Sequence, residues 1–227
     1  MNNDLAKLEK RLGHQFGKPE LLVEAVTHRS VLGPNNERLE FLGDSVLNFV
    51  VADELFRRRP RDTEGVLSRL RATLVNRPSL AELARELGLG DYLRLGGGEL
   101  KSGGHRRDSI LADGLEAVLG AVFLDGGYEA CRALILRMYQ ERFANLPAAE
   151  ELKDPKTRLQ EYLQGLRRPL PAYQVLDVSG KAHDQVFRVE CRVEGVEKAT
   201  EGVAGSRRQA EQLAAEAMLA LLLEQRR

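Results

Sequence analysis

The chain has 227 residues, 43% of them hydrophobic, which suits one large or two modest domains with real cores. Basic and acidic residues balance at 34 each, so there is no global bias toward nucleic acid, and such a partner must be met by local clusters. No apolar run is long enough to span a bilayer, and the charged start MNNDLAKLEKRLGHQF lacks a signal-peptide core. Two isolated cysteines, Cys131 and Cys191, argue against a disulfide framework or a zinc site and fit a reducing, cytoplasmic setting with buried thiols.

Residues 4–12 read as a short amphipathic helix with Leu5, Leu8 and Leu12 on one side. A second helix begins near Lys18 and runs towards Thr27-His28-Arg29-Ser30. A loop over 31–36 follows, marked by Gly33-Pro34-Asn35. The next helix opens with NERLEFLGDS and continues to about Arg58, where Pro60 closes it. Thr63 is placed to cap a helix through Leu67, Leu70 and Leu74. Ser79 with Glu82 makes a capping box for another, which Gly88 and Gly90 stop. GGGELKSGGHRR, residues 96–107, is glycine-rich and basic and reads as a mobile loop. Asp108 or Ser109 opens the strongly apolar helix SILADGLEAVLGAVFLD, and a further helix covers about 128–144.

The pattern changes after Pro147. Residues 148–153 read as a linker, and a helix follows over about 154–165. AYQVLDV is extended, Ser179-Gly180 is a turn, and DQVFRVECRV places Phe187, Val189, Cys191 and Val193 on one side at period two. A weaker strand lies near 196–203, and the last helix runs from Ser206 to about Glu224. The fold expected is an all-α domain over 1–147 and a small α+β (α-β-β-β-α) domain over 154–224.

Within NERLEFLGDS, Glu37, Glu40 and Asp44 fall within roughly 60° of one another on a helix. Leu39, Leu42, Val46 and Val50 lie opposite, as a buried stripe should. Carboxylates at this spacing repel, so solvent, cations or a metal must offset them. Asp113 and Glu116 form a second i, i+3 pair on the apolar helix, where Gly114 and Gly120 lower helix propensity and suit a close approach by another backbone or a ligand. If the two helices pack side by side, Glu40, Asp44, Asp113 and Glu116 converge. Four carboxylates without histidine or thiolate favour Mg²⁺ or Mn²⁺ over zinc. Such an ion suits metal-dependent phosphodiester hydrolysis. Two solvated acidic helix faces are the bland alternative.

NERLEFLGDS, with THRS upstream and DSILADGLEAVLGAVFLD downstream, resembles bacterial ribonuclease III. GELKSGG and DPKTRLQEYLQG fit as well, the latter opening a double-stranded RNA-binding domain. The resemblance is collinear over essentially the whole chain. It implies a Mg²⁺-dependent endoribonuclease that cuts double-stranded RNA as a homodimer, leaving 5′-phosphate ends and short 3′ overhangs. Its implied substrates are precursors of rRNA and of some mRNA and tRNA. Carried over by position, Glu40, Asp113 and Glu116 are metal ligands, and Asp44 and Glu116 are the essential catalytic acids. Glu37 and Glu64 are supporting acids of the cleavage valley. His28 reads as structural, and Phe41 as either core or dimer contact.

In the second domain, the resemblance implies that Thr157, Gln160 and Glu161 face one minor groove of the duplex and His183 the next. Ser206, Arg207 and Arg208 start the last helix, where backbone N–H groups and arginines meet phosphate. Many such modules carry a basic residue at the position held here by Glu211, so modest duplex affinity is expected. Lys101, Arg106 and Arg107 are candidates to grip RNA near the valley. Two further readings stand beside the nuclease. One is a duplex-binding protein that does not cut, against which the intact acids argue. The other is a metal-dependent phosphohydrolase of small nucleotides, against which the duplex-reading module argues.

Overall fold

The computed structural model describes residues 5–148, 153–181 and 184–224. The chain divides into two compact units, Met1–Pro147 and Ala148–Arg227. The first is helical. Its elements are α1 (Leu5–Leu12), α2 (Pro19–Ala25), α3 (Glu37–Arg58), α4 (Glu64–Leu74), α5 (Arg77–Glu86), α6 (Gly97–Lys101), α7 (Asp108–Met138) and α8 (Gln140–Ala144).

Helix α7 is the axis of this unit. Val118, Leu119, Ala121 and Val122 are fully buried, so it is apolar around most of its girth over those turns. It breaks at Gly127, whose φ of 76° and ψ of −176° belong to a region only glycine enters readily. This break separates the two helices expected there. Just before it, Asp125 ties down the start of the chain. Its carboxylate accepts from the Gly17 N–H at 3.1 Å, the Lys18 N–H at 2.9 Å and His14 Nε2 at 2.8 Å. These donors hold the Asp125 carboxyl below its ordinary pKa, against the opposing effect of burial. Arg137, further along α7, donates to the Leu12 carbonyl, and Arg11 donates to that of Leu87 at 2.7 Å.

Three local expectations change. Helix α5 begins at Arg77, and its cap is Asn76, whose side chain accepts from the Ser79 N–H at 3.0 Å. Ser79 is therefore already inside the helix, and Pro78, which needs no N–H partner in a first turn, sits before it. Thr63 has the extended backbone of a cap, but its side chain makes no capping bond. Residues 96–107 are folded rather than loose. They contain α6 and a 3₁₀ turn, pinned by Arg107 to Glu99 at 3.1 Å and by Ser102 Oγ donating to the Glu99 carbonyl at 3.0 Å.

The second unit has the expected order: α9 (Pro155–Gly165), β1 (Ala172–Lys181), β2 (Asp184–Arg192), β3 (Thr200–Ala204) and α10 (Arg207–Glu224). The strands form an antiparallel sheet in sequence order, with β1 bulged between Val175 and Asp177. Ser179 and Gly180, expected as a turn, belong to β1, and the third strand is shorter than expected. Leu159, Leu163, Cys191, Ala214 and Met218 are fully buried between helices and sheet. Phe187, expected in this core, is only half-buried. Gly202 lets β3 lie on α10, because a Cβ there would strike the Ala210 carbonyl. Both cysteines are free and buried, as expected of small hydrophobes, and burial lifts the Cys191 thiol to about 11. No described helix is long and apolar enough to cross a membrane.

Candidate active site and nucleic-acid interface

The acids meet where α3 crosses α7. A Cβ built on Gly43 would lie 1.7 Å from the Glu116 carbonyl oxygen, and one on Gly120 would strike the Leu39 carbonyl. Only hydrogens fit there, so the two helices run backbone against backbone. Glu40 and Asp44 flank Gly43 on α3. Glu116 and Asp113 lie about one and two turns before Gly120 on α7. The crossing thus gathers carboxylates from both helices. Gly114 differs: a Cβ there would meet only the Leu93 and Leu89 side chains, at 3.1 and 3.6 Å.

One oxygen from each of Glu40, Asp113 and Glu116 can be chosen so that all three lie within 4.8 Å of one another. Asp44 stands beside this trio. Its Oδ1 accepts from Asn48 Nδ2 at 2.7 Å, and its backbone carbonyl accepts from the same nitrogen at 3.0 Å. Glu37 lies at the rim and pairs with Arg29 at 3.4 Å. Glu64 is not brought to the cluster. It accepts from Ser68 Oγ at 2.7 Å and lines a separate cavity of about 370 Å³ with Phe56 and Leu67.

Crowding marks the trio electrostatically. Burial lifts Glu116 to about 8, and the charges of Asp44, Glu40 and Asp113 add to the shift, while Arg77 opposes it. Burial also raises Glu40, helped by Asp113 and Glu37. Asp113 is raised by burial against the favourable charges of Arg77, His28 and Arg29. Three half-buried carboxylates with only oxygen donors fit a hard divalent cation, which would relieve their repulsion.

Beside the trio is a cavity of about 430 Å³ whose wall includes Glu40, Asp113, Arg29, Arg77 and Arg107. The THRS segment is fixed against it. The Arg94 carbonyl accepts from the His28 N–H at 3.0 Å, and Ser30 Oγ accepts from the Gly96 N–H at 2.8 Å. His28 Nδ1 accepts from the Ser30 N–H at 3.2 Å and is bonded to Ser30 Oγ at 2.8 Å, in keeping with a structural histidine. Sequence reasoning passed over Arg77 and Asn36, although an arginine in the first turn of a helix is a signal, being opposed by the dipole. Lys101, Arg106 and Arg107 are all exposed. Phe41 is 77% exposed, so it is not core.

In the second unit, Thr157, Gln160 and Glu161 are exposed on one face of α9, opposite buried Leu159 and Leu163. Arg207 and Arg208 are exposed at the start of α10, and Ser206 Oγ accepts from the Gln209 N–H at 3.3 Å. His183 lies outside the described residues. Glu211 is more than a missing cation. It pairs with Lys156 at 2.6 Å and with Arg207 at 2.9 Å, and these partners hold its carboxyl low despite burial. Replacing Glu211 with lysine should free both cations and add a third. The full-length chain should then bind duplex more tightly, with a salt slope steeper by at least about 1. A KCl titration of duplex binding with an unchanged slope would show that Glu211 faces away from phosphate.

Residues 18–143 match the family model described as Ribonuclease-III-like, and residues 155–222 match the Double-stranded RNA binding motif. Fold and matches together define an endonuclease of double-stranded RNA, a helical nuclease domain followed by a duplex-binding one. A protein named Ribonuclease 3 from Alkalilimnicola ehrlichii is 66% identical over 212 residues, covering 93% of each chain. Its counterpart from Nitrosococcus oceani is 60% identical over 225 residues, covering 98% of this chain and 97% of that one. The solved nuclease domain of ribonuclease III from Campylobacter jejuni aligns with a TM-score of 0.61 at 44% identity, covering 63% of this chain and all of that one. The chain belongs to the ribonuclease III family.

Proposed function

We propose that this chain hydrolyses phosphodiester bonds in double-stranded RNA with Mg²⁺ held by Glu40, Asp113 and Glu116, and that Mn²⁺ substitutes. The observation that carries this reading is the oxygen cluster of those three residues across the α3–α7 crossing. When bound, the ion supplies Lewis acidity at a phosphate oxygen and an activated water. Glu40 and Asp113 act as ligands from facing helices. Glu116 is both ligand and catalytic acid. Asp44, steadied by Asn48, is the second catalytic acid and acts through water and the ligand network. Water adds to phosphorus, the bond to the 3′ oxygen breaks, and the ends are a 5′-phosphate and a 3′-hydroxyl.

The helical domain works as a homodimer, each protomer cutting one strand to leave short 3′ overhangs. The nuclease domain of the Campylobacter jejuni protein has a region involved in dimer formation. On α3 of this chain, Phe41, Phe49 and Phe56 are 77%, 60% and 71% exposed and lie within about 80° of one another, an apolar stripe that suits such a contact. In the dimer, Glu37 and Glu64 support the valley, and Lys101, Arg106 and Arg107 contact RNA backbone. The second domain, through Thr157, Gln160, Glu161, His183, Ser206, Arg207 and Arg208, reads duplex shape. The cytoplasmic substrates are precursors of rRNA and of some mRNA and tRNA.

The test is cleavage of a long perfect RNA duplex in Mg²⁺ by the parent and by Glu116→Ala. Scission by the parent alone, with duplex binding kept by the variant, is the expected result. Binding without scission by the parent would leave a duplex-binding protein.

A further inference from the structure

Three arginines line the cavity beside the acid trio. Two have protein partners: Arg29 pairs with Glu37 at 3.4 Å and Arg107 with Glu99 at 3.1 Å. Arg77 is exposed, and its side chain makes no hydrogen bond, and no ion pair within 4.0 Å, with any described residue. It is the first residue of α5, where the helix dipole disfavours a cation, and no acid in that first turn compensates. Its charge nonetheless reaches the trio, favouring the ionised forms of both Asp113 and Glu116. Asn36, only 2% exposed, lines the same cavity, and its side-chain nitrogen has no acceptor among the described residues. One cation, Arg77, and one N–H donor, on Asn36, therefore lack acceptors at a cavity bordered by carboxylates that suit a metal. An anion is the group that complements such donors.

Building on the nuclease reading above, we propose that Arg77 grips a phosphate of the strand being cut and holds that strand across the acid trio. The planar guanidinium matches two phosphate oxygens at once, which a solvated surface arginine would not exploit. Arg77 is a positioning residue, and no bond forms or breaks at it.

The test uses the full-length chain carrying Glu116→Gln, so that duplex is bound without being cut. Affinity for a perfect RNA duplex is measured across a KCl series, with and without Arg77→Ala or Arg77→Lys. Arg77→Ala should lower affinity about five-fold and reduce the salt slope by about 1 per site engaged. Arg77→Lys should restore the slope, since the charge is kept. Because the side chain is exposed, thermal midpoints should not move, so a structural effect is separable from phosphate contact. A slope unaltered by Arg77→Ala, or not restored by Arg77→Lys, overturns the assignment. Failure of the parent chain to cut duplex in Mg²⁺ overturns the nuclease reading instead, whatever the slopes are.

Discussion

Replacing Glu116 with glutamine should abolish duplex cleavage while making the metal-free protein more stable at high pH. The loss of activity should reach roughly 10³-fold, about 4 kcal/mol of transition-state stabilisation. The gain in stability follows from linkage. Glu116 in the folded protein titrates near 8, against 4.5 for an ordinary glutamate. A carboxyl raised in this way contributes stability that is fully present below 4.5 and is lost as pH rises through about 8. Above that pH the parent holds a charge among Asp44, Glu40 and Asp113 that glutamine does not carry. Allowing for solvent screening at a partly exposed site, the variant should be about 2 kcal/mol more stable at pH 9, some 4–8 °C in thermal midpoint. The advantage should vanish by pH 4.5. Added Mg²⁺ should raise the midpoint of the parent and not that of the variant. A variant less stable than the parent at pH 9 without metal would mean that Glu116 is not electrostatically crowded.

Gly43→Ala should damage fold and catalysis together. The new methyl group would land on the Glu116 carbonyl, a backbone atom that cannot swing aside, so α3 and α7 must separate. Overpacking of this kind costs about 3 kcal/mol. A shift near 1 Å between the helices also moves Glu40 away from Asp113 and Glu116, with an expected fall in cleavage of about 100-fold. Urea midpoints and initial cleavage rates measure the two effects. Gly98→Ala is the control: its Cβ meets nothing within 4 Å, and it should leave both unchanged. Equal tolerance of alanine at 43 and 98 would mean that the helices do not cross at Gly43.

Much of this was legible in the sequence. The 3.6-residue spacing of Leu39, Val46 and Val50 separates a buried flank from the acids, and the period-two run through Val189 and Cys191 marks a buried strand face. Gly120 was legible as a point of close approach. What was not legible needed the third dimension. Glu64 shares the residue type of the trio but stands on another helix and lines another cavity. Asn76 and Ser79 are both good caps, and sequence spacing favoured the wrong one. Glycines at 96–98 hid a helical turn that Glu99 and Arg107 hold in place. Phe41 is apolar, yet it lies roughly 140–180° round α3 from Leu39, Val46 and Val50 and faces outward.

The anchorage of α1 by Arg137, and of the segment after it by Asp125, bears on synthesis. Its partners lie 107 to 125 residues downstream. At about 5–20 residues per second, roughly 5–25 s separate the making of α1 and the segment after it from that of the groups that hold them. An eight-residue helix is too short to persist alone in water. Helix α1 is thus made well before Arg137, and the tie to its Leu12 carbonyl forms only after the second half of α7 has emerged.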